Sequence, residues 1–107
     1  MSWSVEVLND TVRAEIRALP RDLQARFVRL GDRIRQMGLV GLREPHVKHL
    51  DGKLWEMRLI GRDGIARALY VTAIGERIFV VRVFIKKVQK TPRAEIDLAL
   101  QRAKEIL

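Results

Sequence analysis

Between Leu54 and Ile85 the chain runs as three apolar-rich stretches, Leu54–Ile60, Ile65–Ile74 and Arg77–Ile85, parted only by Gly61-Arg62-Asp63-Gly64 and Gly75-Glu76. Connections this short can only turn a strand back on itself, so the three stretches are predicted to form an antiparallel meander. In the first, Trp55, Met57 and Leu59 share one face while Glu56 and Arg58 share the other. In the third, strict alternation sets Phe79, Val81, Val83 and Ile85 against Ile78, Val80, Arg82 and Phe84. The middle stretch is apolar on both faces, as a central strand is, except at Arg67 and Tyr70.

The flanking segments read as one strand and three helices. Trp3 to Leu8 begins as an alternation, and Asn9-Asp10 supplies a turn and a helix N-cap. Val12, Ile16 and Leu19 recur at helical spacing, and Pro20 ends that helix or opens the next. Leu23, Phe27, Leu30, Ile34 and Met37 form the seam of a second helix, which Gly38 closes. Residues 38–53, with Gly38, Gly41, Pro45 and Asp51-Gly52, read as an irregular connection. Thr91-Pro92 is read as an N-cap followed by a first-turn proline, with Ile96, Ala99, Leu100, Ala103, Ile106 and Leu107 as the buried stripe. The expected class is α+β: an N-terminal strand, a two-helix hairpin, a three-stranded antiparallel meander and a C-terminal helix. A chain of 107 residues supports one core, hence a single domain over residues 1–107.

Charge narrows the classes of function. Lys and Arg number 21 against 13 Asp and Glu, net +8, in a chain that is 48% hydrophobic and therefore expected to fold. Residues 1–52 carry net +2 and residues 53–107 net +6. Arg77, Arg82, Lys86, Lys87, Lys90 and Arg93 follow one another with no carboxylate between them. Such a run is either a solvated face or a surface for a polyanion.

The first residues lack the basic-then-apolar layout of a secretory signal, and no stretch is long and apolar enough to span a bilayer. With zero cysteines as well, the expectation is a cytoplasmic protein without membrane partners. Neither a phosphate-cradling glycine loop nor a helical pair of histidines is present, and no cofactor is expected. His46 and His49 are expected to be solvated loop residues rather than metal ligands.

The remaining candidates for chemistry, on and after the meander, are Glu56, Arg58, Arg67, Tyr70, Arg82, Lys86, Lys87 and Lys90. They form either a cationic cleft or a cross-strand ion pair beside an exposed lysine run. The ordered series Leu54-Trp55-Glu56-Met57-Arg58, Arg67-Ala68-Leu69-Tyr70 and Phe84-Ile85-Lys86-Lys87-Val88-Gln89-Lys90-Thr91-Pro92-Arg93-Ala94-Glu95-Ile96 resembles the phage-derived, HigB-like branch of the RelE/ParE toxin superfamily. The resemblance implies a small basic toxin of a type II toxin–antitoxin module that cuts mRNA on the ribosome and is neutralised by a helix-turn-helix antitoxin.

Carried onto this chain, the resemblance implies that Arg67, Lys86 and Lys87 hold the scissile phosphate, with Glu56 as base or as the group orienting Arg58 or Arg67. Arg58 would anchor the RNA backbone. Lys90 and Arg93, at the start of the last helix, would bind phosphate, and Tyr70 would stack on a base or pack in the core. Arg82 stands where similar toxins often carry a histidine, and arginine titrates too high, above about 12, to exchange protons readily. That departure keeps two other functions open: a ParE-like inhibitor of DNA gyrase, and an inert basic module that binds nucleic acid or a protein partner.

Overall fold

The computed structural model describes residues 3–41, 47–73 and 75–107. Its elements are β1 (Ser4–Val7), α1 (Asp10–Arg17), α2 (Arg21–Met37), a 3-10 turn (Gly38–Gly41), β2 (Val47–Asp51), β3 (Leu54–Ile60), β4 (Ile65–Ala73), β5 (Arg77–Ile85) and α3 (Arg93–Ala103). One sheet runs β1-β5-β4-β3-β2, with β1 parallel to β5 and all other pairs antiparallel. Among the described residues no helix is long and apolar enough to cross a membrane.

Two apolar layers hold the helices to opposite faces of the sheet. Val12 of α1 and Leu23 and Ile34 of α2 join Met57, Leu59, Ala66, Ala68, Tyr70, Ile78, Val80 and Val83 on one face. Ile96, Ala99 and Ala103 of α3 join Leu54, Leu69, Val71 and Val81 on the other. Helix α1 starts as its sequence predicts, with the Asn9 side chain accepting the Val12 N–H at 3.1 Å. Pro20 precedes α2, and the Gln24 side chain donates to the Leu19 and Arg17 carbonyls, closing the end of α1. The α2 seam is buried at Leu23 and Ile34, but Met37 at its far end is 58% exposed.

Three expectations are corrected. Residues 47–51 are not irregular but form the edge strand β2, with Val47 opposite Met57 and Lys48 opposite Glu56. A five-residue strand with Lys48 and His49 facing solvent lacks the apolar run that marks a buried strand, which is why it reads as loop. His49 is therefore a strand residue, while Glu44, Pro45 and His46 lie outside the described residues, as does Ile74 at the expected end of β4.

Second, strict alternation fails in β5. Leu69 pairs with Arg82 and Tyr70 with Val80, so Val81 is an extra residue in the ladder. This bulge turns Val81 and Arg82 to the same face, and Val83 then joins Val80 on the other. Third, Thr91 does not cap α3. The residue before the helix is Pro92, whose side chain carries no hydrogen-bond acceptor, and the Thr91 hydroxyl donates to Glu56 instead.

Beyond Val80, where pairing with β1 ends, the outer edge of β5 is closed by charged side chains. Glu15 Oε1 accepts the Val83 N–H at 3.0 Å, and Arg102 donates to the Val81 carbonyl at 2.9 Å. Glu15 Oε2 also meets Arg82 at 2.9 Å and Arg102 at 2.8 Å, while Arg82 forms a two-pronged pair with Glu95 at 2.7 and 2.9 Å. Two carboxylates and two guanidiniums thus join α1, β5 and α3. Truncating Glu15 to alanine leaves the Val83 N–H and part of two guanidiniums without partners. The expected cost is about 1–3 kcal/mol, read as a lower urea midpoint at unchanged m-value.

Candidate functional site

The α3-side face of the sheet carries the polar residues expected from the meander. Because cross-strand partners share a face, Lys48, Glu56, Arg58, Arg67, Arg82 and Phe84 lie together, linked by the pairs Lys48–Glu56, Arg58–Arg67 and Arg67–Phe84. Glu56 and Arg67 are buried at 3% and 2% exposure, and Thr91 at 6%.

Arg67 Nε lies 3.1 Å from Glu56 Oε1, yet its N–H finds no hydrogen-bonding geometry there. The rest of the guanidinium reaches the segment after β5. Nη1 donates to Thr91 Oγ1 at 2.9 Å, and Nη2 to the Gln89 carbonyl. Thr91 Oγ1 in turn donates to Glu56 Oε1 at 2.6 Å. Arg67 and Glu56 therefore do not stand free in a cleft as the resemblance implied. They fasten residues 86–91 to the sheet.

The fastened segment presents Lys86, Lys87 and Lys90. The Lys86 N–H donates to the Ile65 carbonyl at 2.8 Å, and its ammonium reaches Gln89 Oε1 at 3.0 Å. Lys87 and Lys90 are exposed. A cavity of about 360 Å³ opens beside them, lined by Arg67, Arg82, Phe84, Ile85, Lys87, Val88, Pro92 and Glu95. Lys86 and Lys87 also border a more open depression with Gly64, Ile65, Val88 and Gln89. Arg58, half-buried, sits beside Arg67 in the ladder. Like charges in that register repel, and Glu56 is engaged by Arg67.

The six-cation run divides by residue type. Arg77 pairs with Glu6 at 2.8 Å, Arg82 with Glu15 and Glu95, and Arg93 with Asp51 and Asp97 at 3.0 Å each. Hydrogen bonding to Glu95 raises the Arg82 pKa further, and that to Asp51 does the same for Arg93. Among the described residues, none of the three lysines has a carboxylate partner. Within this run, the charge without a carboxylate partner is thus lysine charge, which an ammonium offers as a mobile point donor.

Tyr70 does not join this group. It is 3% exposed on the opposite face and lines a separate cavity of about 360 Å³ with Leu39, Val47, Trp55 and Thr72. Burial pushes its phenol up to about 12. The folded pKa lies above the unfolded value near 10, so the stabilisation is fully present below pH 10 and lost as pH rises through about 12. As the one tyrosine in the chain, it should show a single phenolate absorbance midpoint near 12, and Tyr70→Phe should flatten the alkaline loss of stability. His49 is likewise on the Tyr70 side, its ring 5.0 Å from Trp55 and its Nε2 2.7 Å from the Gly52 carbonyl.

Sequence reasoning missed Lys48, Glu15, Glu95 and the structural use of Thr91. Lys48 lay in a stretch without strand signal, and Glu15 meets Arg82 only through the tertiary fold. Thr91-Pro92 looks like a helix start, and no local pattern distinguishes a capping threonine from one turned to a buried pair. No group of three or more His, Cys, Asp or Glu suited to a metal occurs among the described residues.

A model of the family described as "Phage derived protein Gp49-like (DUF891)" matches residues 14–104. That range runs from within α1 to just beyond α3 and includes the whole candidate site. No curated protein matches. Solved structures do, among them the crystal structure of the archaeal RelE-RelB complex from Pyrococcus horikoshii OT3. A chain of that complex is 22% identical, with a TM-score of 0.62, and the match covers 83% of this chain and 100% of that one. The fold is thus RelE-like.

Proposed function

Because the chain belongs to the phage-derived Gp49-like family, we propose that it is the toxin of a type II toxin–antitoxin module and acts as a ribosome-dependent mRNA endoribonuclease. The observation that carries this reading is the lysine segment, held over a cleft by the buried Glu56–Arg67–Thr91 group. In the reaction, the ribose 2′-oxygen forms a bond to the adjacent phosphorus while its proton passes to water, and the bond to the 5′-oxygen breaks as that oxygen takes a proton from a lysine ammonium, which water then reprotonates. Charge accumulates on the phosphoryl oxygens midway, where prepositioned cations have their largest effect. Lys86 and Lys87 supply those cations and an N–H for the leaving oxygen. Lys90 and Arg58 hold neighbouring phosphates, and Arg67 positions the segment without touching RNA. The relative seen in complex with RelB supports a protein antitoxin as partner, here of the helix-turn-helix type, and the setting is cytoplasmic.

The test is induction in bacteria with mapping of transcript 5′ ends. New ends at codon-linked positions, together with translation arrest, are expected; arrest without new ends counts against the nuclease. One observation favours the gyrase-inhibitor reading instead: Arg82, at the position of the family histidine, is fully engaged by Glu15 and Glu95. A supercoiling assay separates the two, since only the inhibitor blocks gyrase.

A further inference from the structure

The stacking expected of Tyr70 has no place at the lysine segment, because Tyr70 is buried on the opposite face of the sheet. Another aromatic residue stands where it is needed. Phe84 is two residues from Arg82 on β5 and directly opposite Arg67 on β4, so the three share the α3-side face. Its half-buried ring packs against the α3 layer and also lines the cleft with Lys87, Val88 and Pro92. Among the described residues it is the one aromatic side chain lining that cleft. Trp3, Phe27 and Tyr70 belong to the α1–α2 layer, Trp55 lines the Tyr70 cavity, and Phe79 meets Arg77 at the other end of β5.

The ring is held as well as placed. The Arg82 guanidinium lies over it, 5.4 Å from the ring centroid, within the roughly 6 Å reach of a cation–π contact. Arg82 is itself fixed by Glu15 at 2.9 Å and Glu95 at 2.7 Å, so the ring is ordered before any ligand arrives, which lowers the cost of stacking on it. Val88, 54% exposed, and Pro92 give the same cleft an apolar wall. Such a wall adds nothing to the binding of phosphate, but it suits the face of a base. Cations that follow the backbone beside an aromatic ring that takes a base are the combination that binds unpaired nucleic acid. The cleft, at about 360 Å³, lies in the range of about 300–1,000 Å³ that small ligands fill.

We propose that Phe84 is the stacking platform for a nucleobase next to the phosphate held by Lys86 and Lys87. That the base belongs to RNA rests on the reading of the cleft as an RNA site. The probe is a dye-labelled 2′-O-methyl RNA hexamer, which lacks the attacking hydroxyl, together with versions from which one base at a time has been removed, all titrated by fluorescence anisotropy. Wild type should bind the hexamer, and removal of one particular base should weaken binding about tenfold. Phe84→Leu keeps an apolar side chain against the α3 layer. It should weaken binding of the intact hexamer by the same factor, with less than about a twofold further loss when that base is removed. Phe84→Tyr keeps the ring face and should restore both the affinity and the dependence on that base. A purely structural role leaves the two losses independent, so losses that multiply in Phe84→Leu overturn the proposal. Base removal without effect at every position, or no binding of the hexamer by wild type, does so as well. If the hexamer binds through Phe84 yet no transcript is cut, the nuclease reading falls and the platform stands. If transcripts are cut while the losses multiply, the platform falls alone.

Discussion

Replacing Arg67 by alanine is expected to cost about 3–5 kcal/mol, because it strands the Glu56 carboxylate at 3% exposure and frees the Gln89 carbonyl and Thr91 hydroxyl from their donor. A domain of this kind has a total stability of about 5–15 kcal/mol, so the variant sits near the edge of folding. A functional assay on it would report misfolding as lost activity. The hydrophobic pair Glu56→Leu with Arg67→Met removes both charges together and should lose less than the single change, since much of the single-site cost is an unpaired buried ion. Urea unfolding of the three proteins decides the matter. An Arg67→Ala unfolding free energy within about 0.5 kcal/mol of the wild type would mean that the buried pair does not hold the segment.

The second large effect separates stability from function. Lys86→Ala with Lys87→Ala removes two charges whose ammonium groups make no buried contact, so stability should change by less than about 0.5 kcal/mol per site. If these cations meet the phosphoryl oxygens as charge develops, the rate of RNA cleavage should fall by about 10²–10³-fold. Lys90→Ala, at the edge of the site, should weaken binding more than it slows the chemical step. The opposite pattern, with Lys90 controlling the rate and Lys86 and Lys87 silent, would move the reacting phosphate toward the start of α3.

The meander was legible because turn glycines and apolar runs are local signals, and the sharing of a face by Glu56 and Arg58 follows from period two alone. Neither edge feature was. Strand β2 depends on pairing with β3 rather than on its own composition, and the bulge at Val81 is set where Leu69 and Tyr70 choose partners across the sheet. Within the site, the residues that matter chemically were visible as types but not as roles. Arg67 is a cation by sequence, and its burial against Thr91 and Gln89 makes it a fastener. Arg77, Arg82 and Arg93 counted as free charge until Glu6, Glu15, Glu95, Asp51 and Asp97, drawn from elsewhere in the chain, claimed them. Long-range ion pairing cannot be read from a charge run, so a run overstates the charge open to a ligand.

The most direct measurement is primer extension on ribosomes programmed with a defined mRNA, comparing wild type with the folded Lys86→Ala, Lys87→Ala variant. The wild type is expected to give one new 5′ end at the codon in the A site, appearing only with ribosomes present, and the variant about 10²–10³-fold slower. Equal cleavage by both proteins, or none by either under conditions where the wild type arrests growth, would contradict the placement of the reaction on the lysine segment.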